Sequence, residues 1–234
     1  MRTRKPNPMA RRRLEPWYHL CTKIVVPPVR LWFTFRAQGL ERIPRRGPAI
    51  LACNHLSYLD PFSNGCAVID AGRRPRFLAK QELFDTFLVG SALKGAGQIP
   101  VARGARGATP LLKAKDALDR GEVVVIYPEG TVTKREDHLP MEGRTGAVRL
   151  SLMSGVPIIP MASWGSQGVW QKSGKGSLRY GRPVWTMTGE QLDFRPRTAE
   201  IDDREAVKEM TTQLMERLTD MVNDLRERYP RSWS

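Results

Sequence analysis

Apolar positions in this chain fall into short runs separated by helix-like stretches. Residues 48–53 (PAILAC) form an apolar run that ends at Asn54, the pattern of a buried strand. Asp60 and Pro61 then suit the start of a helix through Ile69, with Asp60 as its cap and the proline at its first position. Residues 76–79 predict a second strand, 82–93 a helix and 98–102 a short extended segment. Residues 109–120 read as an amphipathic helix stopped by Gly121. The run 123–127 (VVVIY) is the best strand in the chain, β-branched and bounded by Pro128. A helix over 144–154 ends at Gly155, a buried strand follows at 157–162, and 177–187 reads as edge strands with turns. Residues 199–228 form a long charged helix in which Met210, Leu214, Leu218, Met221 and Leu225 recur at helical spacing, a packing face. Strands alternating with helices predict an α/β fold: a mostly parallel central sheet flanked by helices. No internal repeat is present.

The first residues read differently. Residues 1–13 are basic and contain proline, a composition that predicts disorder. Residues 14–36 mix Leu, Trp, Tyr, Ile, Val and Phe with charges, and Pro27-Pro28 divides them into two short amphipathic segments suited to a bilayer surface. The alternative is a first helix packed on the domain. The expected organisation is therefore a basic, membrane-associating segment over 1–36 and a single domain over 37–234. The N-terminal segment is not broken up by chance: residues 1–46 hold twelve cations (Arg2, Arg4, Lys5, Arg11, Arg12, Arg13, Lys23, Arg30, Arg36, Arg42, Arg45, Arg46) against Glu15 and Glu41. The whole chain carries a formal +14, so most of its excess charge sits in that first fifth, and a polyanionic neighbour is expected. No stretch of 18 uncharged apolar residues exists and no signal peptide is evident. The three cysteines, Cys21, Cys53 and Cys66, show neither a zinc spacing nor a disulfide framework, which fits a reducing cytoplasm and predicts no metal site.

Four short motifs carry the candidate chemistry, mainly at the turns that follow strands, where ligands of open α/β sheets sit. In Asn54-His55-Leu56-Ser57-Tyr58-Leu59-Asp60-Pro61, a strand-to-helix turn lets Asp60 fold back on His55, hold one ring nitrogen and leave the other to accept a proton. Gly97 to Arg103 (GQIPVAR) delivers Arg103, a residue type suited to phosphate. Tyr127-Pro128-Glu129-Gly130-Thr131 presents Glu129 at the end of the best strand, in a turn whose N–H groups can cradle an anion. Val156-Pro157-Ile158-Ile159-Pro160 has no reactive side chain and serves as a wall.

In that order and spacing the four resemble the marks of the glycerolipid acyltransferase family: N-H-x-x-x-x-D at 54–60, G-x-x-x-x-x-R at 97–103, F-P-E-G-T-R-S at 127–133 and V-P-I-x-P at 156–160. Phe77 to Leu83 (FLAKQEL) is similar to the family's A-K-x-E-L segment, and the likeness spans about residues 38 to 190. The resemblance implies transfer of a fatty acyl group from acyl-CoA or acyl carrier protein to the hydroxyl of 1-acyl-glycerol-3-phosphate, with no further cofactor. It implies His55 as general base and Asp60 as the residue that fixes its tautomer. Glu129, Gly130 and Thr131 would shape the acceptor site, and Arg103 and Lys80 would bind phosphate. Tyr127 replaces the usual Phe. Val132 stands where the family often has Arg, so Lys134 or Arg135 would supply that contact, or the acceptor headgroup differs. Pro100 and Ala102 also depart from the common residues.

This reading places the protein at the cytoplasmic face of the cell membrane, peripheral or monotopic, with an anionic membrane surface, a lysophospholipid acceptor and an anionic acyl donor as partners. Its rivals are the same chemistry on another lysophospholipid or a glycolipid, a non-catalytic lipid-binding protein, and a nucleic-acid binder suggested by a pI near 10.3. No RRM, KH or zinc-finger signature supports the last, and the cations cluster in a tail rather than over a domain face, so no nucleic-acid partner is expected.

Overall fold

The structure is a computed structural model that describes residues 18, 22–24, 26–102, 109–171 and 173–233. Seven strands form its sheet: β1 (Thr34–Gln38), β2 (Ala49–Cys53), β3 (Pro75–Lys80), β4 (Ile99–Val101), β5 (Val123–Ile126), β6 (Ile158–Trp164) and β7 (Pro183–Thr188). Their order across the sheet is β1-β7-β6-β2-β5-β3-β4. Every neighbouring pair is parallel except β6 with β7.

Helix α1 takes in residues 26–32. The others are α2 (Asp60–Asp70), α3 (Gln81–Phe84), α4 (Phe87–Gly95), α5 (Thr109–Asp119), α6 (Gly146–Ser154) and α7 (Arg204–Arg228).

The central strands are apolar throughout because both faces of the sheet are covered. In β2, Ala49, Leu51 and Cys53 join Ala67 and Val68 of α2 in one core. The alternate residues, Ile50 and Ala52, face a second core with Ala114 and Leu118 of α5, Val148 of α6, and Met210, Leu214 and Leu218 of α7. The expected stripe on α7 is buried along its whole length, and Asp203 caps that helix by accepting from the N–H groups of Glu205 and Ala206. Gly155 ends α6 in the left-handed region, at φ 66°, where a residue without Cβ is favoured.

Four expectations are corrected. Strand β1 begins at Thr34, so the sheet reaches into the segment that the pattern assigned to the membrane and crosses the boundary drawn at residue 36. The single helix expected over 82–93 is two, because Thr86 starts a new helix by accepting from Gly90 N–H. The expected edge strands over 177–187 are one strand, β7, which lies inside the sheet between β1 and β6. Helical backbone runs through Pro27 and Pro28 as well as at 22–24, since proline removes an N–H but its φ suits a helix. Residues 1–17 lie outside the described residues. No helix among the described residues is long and apolar enough to cross a membrane.

Candidate active site

The turn that leaves β2 is built by replacing strand pairing with side chains. Asn54 continues the β2–β6 ladder with its amide: Oδ1 accepts from Ser163 N (2.7 Å) and Nδ2 donates to Ser163 O (3.2 Å). His55 is then clamped by its backbone. Its N–H donates to Glu129 Oε1 (2.7 Å) and its carbonyl accepts from Thr133 N (2.7 Å). The turn after β5 thus holds the histidine turn on both sides.

Asp60 is fully buried at the start of α2. It does not cap that helix, as its position had suggested; its carboxylate turns backward. Oδ2 accepts from Leu56 N (2.6 Å) and Ser57 N (2.8 Å) and lies 2.9 Å from His55 Nδ1. Oδ1 accepts from Ser166 Oγ (2.5 Å), on the 3-10 turn that follows β6. An ionised carboxylate can only accept. A proton on Nδ1 is what lets this contact be a hydrogen bond, and in a neutral imidazole that arrangement leaves the lone pair on Nε2.

The imidazole, with 13% of its side chain exposed, stacks on Tyr127 (centroids 4.2 Å apart, planes 20°), which stacks in turn on Phe77 (6.3 Å, 12°). The Tyr127 hydroxyl, absent from the usual Phe, has a use: it accepts from Asn64 Nδ2 (3.1 Å), whose Oδ1 accepts from Ser163 Oγ (2.7 Å). Burial holds the Tyr127 phenol well above its ordinary pKa, so it stays neutral. Burial likewise raises the Cys53 thiol far above its ordinary range, which removes it as a nucleophile.

Glu129, expected to shape the acceptor site, reaches the backbone of the histidine turn. It is buried, and both oxygens are spent on backbone: Oε1 on His55 N and Oε2 on Met141 N (3.0 Å). It holds the histidine turn in place through these two contacts. Burial pushes its carboxyl up to about 7, against the two N–H donors that favour its charge. Gly130 sits exposed at φ 69°, and a Cβ there would lie 2.9 Å from Arg144 Nε. Thr131 is half-buried in the same turn.

The phosphate candidates divide. Lys80, the last residue of β3, and Lys134 are both exposed. Arg135 is bound to Asp137 through two hydrogen bonds of 2.9 and 2.6 Å. Val132 is 1% exposed, a core position. Arg103 lies outside the described residues. Ser166, Asn64 and Ser163 were missed by sequence reasoning, because nothing local distinguishes them from other polar residues. A cavity of about 300 Å³ lies along α7, lined by residues such as Gly143, Thr211 and Met215, and does not include His55.

The structure thus sets a His–Asp pair at the end of a central strand of a doubly covered α/β sheet. A family model described as acyltransferase matches residues 34–164, and the chain belongs to that family. It is 28% identical over 210 residues to the 1-acyl-sn-glycerol-3-phosphate acyltransferase of Bacillus subtilis, covering 89% of this chain and 98% of that one. It is 31% identical over 157 residues to the lyso-ornithine lipid O-acyltransferase of Pseudomonas aeruginosa, covering 65% and 54%. Among solved structures it resembles the acyltransferase PlsC of Thermotoga maritima, with a TM-score of 0.67 and 21% identity over 93% of this chain and 81% of that one. The protein is an acyltransferase, and its fold is that of PlsC.

Proposed function

We propose that this chain transfers a fatty acyl group from acyl-CoA or acyl carrier protein to the free hydroxyl of 1-acyl-glycerol-3-phosphate, giving phosphatidic acid. The observation that carries the reading is the His55–Asp60 pair, 2.9 Å apart, with Nε2 left as the base. His55 Nε2 removes the proton of the lipid hydroxyl as its oxygen attacks the thioester carbonyl carbon. Asp60 steadies the imidazolium that forms, as an aspartate does in a hydrolase triad. The tetrahedral intermediate collapses, the C–S bond breaks, and the proton passes from His55 to the departing thiolate. The acceptor supplies the nucleophile, so the protein needs none. Lys80, Lys134 and Arg103 are assigned to the acceptor's or donor's phosphate groups. The enzyme works at the cytoplasmic face of the membrane, where acceptor and product reside.

The test is transfer of labelled palmitoyl from palmitoyl-CoA to lysophosphatidic acid in vesicles, for wild type and His55→Ala. The variant should lose about 10²–10⁴-fold in rate while its circular dichroism is unchanged. Absence of wild-type transfer to any lysolipid, from either donor, would end the reading.

A second reading has a specific observation behind it. Val132 is buried where the family often has Arg, and the Pseudomonas relative is named for a lyso-ornithine lipid. An acceptor with a different headgroup would leave the chemistry intact. Transfer to another lysolipid, and not to lysophosphatidic acid, would establish it.

A further inference from the structure

Helix α4 is built the wrong way round for a helix in water. Of its nine residues only Gly90 is buried, and Gly90 packs on backbone: a Cβ there would lie 2.3 Å from the Phe84 carbonyl oxygen. The helix is thus fastened to α3 by close backbone approach, while Phe87 is 88% exposed and Leu88 76%, with Val89 and Leu83 beside them. Apolar patches of this kind on soluble proteins mark interaction surfaces. The arrangement also speaks to the partner. Residues 87 to 89 are consecutive, so they sweep about 200° of the helix circumference. A groove on another protein reads a narrow stripe at i, i+3, i+4 and i+7. Apolar groups pointing several ways at once suit a medium that is apolar on all sides.

The location of α4 narrows the partner further. Because β2, β3, β4, β5 and β6 are parallel, Lys80 and the α3–α4 segment that follows it lie at the same end of the sheet as His55. Strand β7 runs the other way, so Leu178 and Tyr180, which precede it, are also at that end. Strand β1 follows β7 in direction, which brings Trp32 there too. Trp32 Nε1 donates to Leu178 O (2.6 Å), and its ring meets Tyr180 edge-on at 5.8 Å. Between the two edges, beside the catalytic turn, Tyr58 and Trp170 pack at 5.3 Å, both exposed. Exposed apolar groups therefore stand at both edges and the middle of a seven-stranded sheet, whose edge strands are about 29 Å apart at the usual spacing. Lys80 and Lys134 stand on the same end, exposed and outside every ion pair among the described residues. A broad surface that is apolar within and anionic at its boundary matches all of these.

We infer that this end of the sheet docks flat on an anionic bilayer and that the first turn of α4, through Phe87 and Leu88, is a lipid anchor separate from the N-terminal segment. The inference rests on the acyltransferase reading, since it holds His55 against the surface from which a lipid acceptor must come.

The test compares the full-length protein with a Phe87→Glu/Leu88→Glu variant in two assays. One is cosedimentation with phosphatidylglycerol–phosphatidylcholine vesicles. The other is acyl transfer to lysophosphatidic acid in those vesicles and to a short-chain analogue dissolved below its micelle concentration. The variant should lose about tenfold or more in bound fraction and in vesicle rate, with its rate on the dissolved acceptor kept. In a Phe87→Trp, Trp17→Phe, Trp32→Phe, Trp170→Phe protein, emission should shift to the blue on adding vesicles. Unchanged vesicle binding and rate in the double variant would overturn the anchor. Loss on both acceptors would make the helix part of the site instead. Loss only with acyl carrier protein as donor, with vesicle binding intact, would reassign the patch to that protein. A wild type inactive on both acceptors would refute lysophosphatidic acid as the acceptor while cosedimentation still decided the docking.

Discussion

Ser166 Oγ lies 2.5 Å from Asp60 Oδ1, joining the turn after β6 to the turn after β2 across 106 positions of sequence. The hydroxyl occupies the one carboxylate oxygen that the histidine turn does not use. It therefore aims the other oxygen at His55 Nδ1. The Ser166→Ala variant leaves a buried carboxylate short of one donor, which costs about 1–3 kcal/mol. Urea unfolding should show that loss, and the transfer rate should fall more than the KM for acceptor rises, because Asp60 acts through His55 rather than on the lipid. A stability loss with an unchanged rate would confine Ser166 to folding.

Tyr127 separates two roles within one side chain. Its ring faces the imidazole and its hydroxyl faces Asn64. Tyr127→Phe keeps the stack and orphans the amide of Asn64, so it should lower stability by about 1–2 kcal/mol with a rate close to wild type. Tyr127→Ala removes the surface on which His55 rests and should lower the rate as well. Equal rates in the two variants would deny the ring any part in holding the imidazole.

Glu129 predicts a pH dependence of stability with a definite sign. Its carboxyl is held up at about 7 in the folded protein by burial, above its ordinary 4.5. Between those values the folded chain binds more protons than the unfolded one, so this group's contribution to stability falls as pH rises from about 4.5 to about 7, and is flat above. Denaturation midpoints of wild type, measured from pH 5 to 8, should fall relative to those of Glu129→Gln, which has no such proton to lose. Parallel curves for the two proteins would show that the carboxyl titrates as it does in water.

Much of this architecture was readable from the chain because burial on both faces writes β2, β5 and most of β6 as apolar runs, and because the stripe on α7 repeats over about four turns. His55 and Asp60 were picked out by the order of four motifs, because a spacing of five residues across a turn is by itself a weak signal. The rest depends on distance in sequence. Strand β1 (TFRAQ) carries a charge and exposed positions, as an edge strand does, and the partner that makes it a strand lies some 150 residues on. Ser166, Asn64 and Ser163 acquire meaning only when three strand ends meet. The turn that carries Glu129 was legible, but its N–H partners on His55 and Met141 were not, since a motif does not say which N–H groups a carboxylate serves. Asp60 looked like a cap for the same reason: both roles ask for an acid before an apolar run.

The packing beneath the catalytic turn has a consequence for timing. Leu56, next to His55, is buried in a cluster with Met221, Val222 and Leu225 near the end of α7. At synthesis rates of about 5–20 residues per second, this end of α7 is made roughly 10–30 s after the turn it supports. During that interval β2 and its histidine exist without the surface that fixes them.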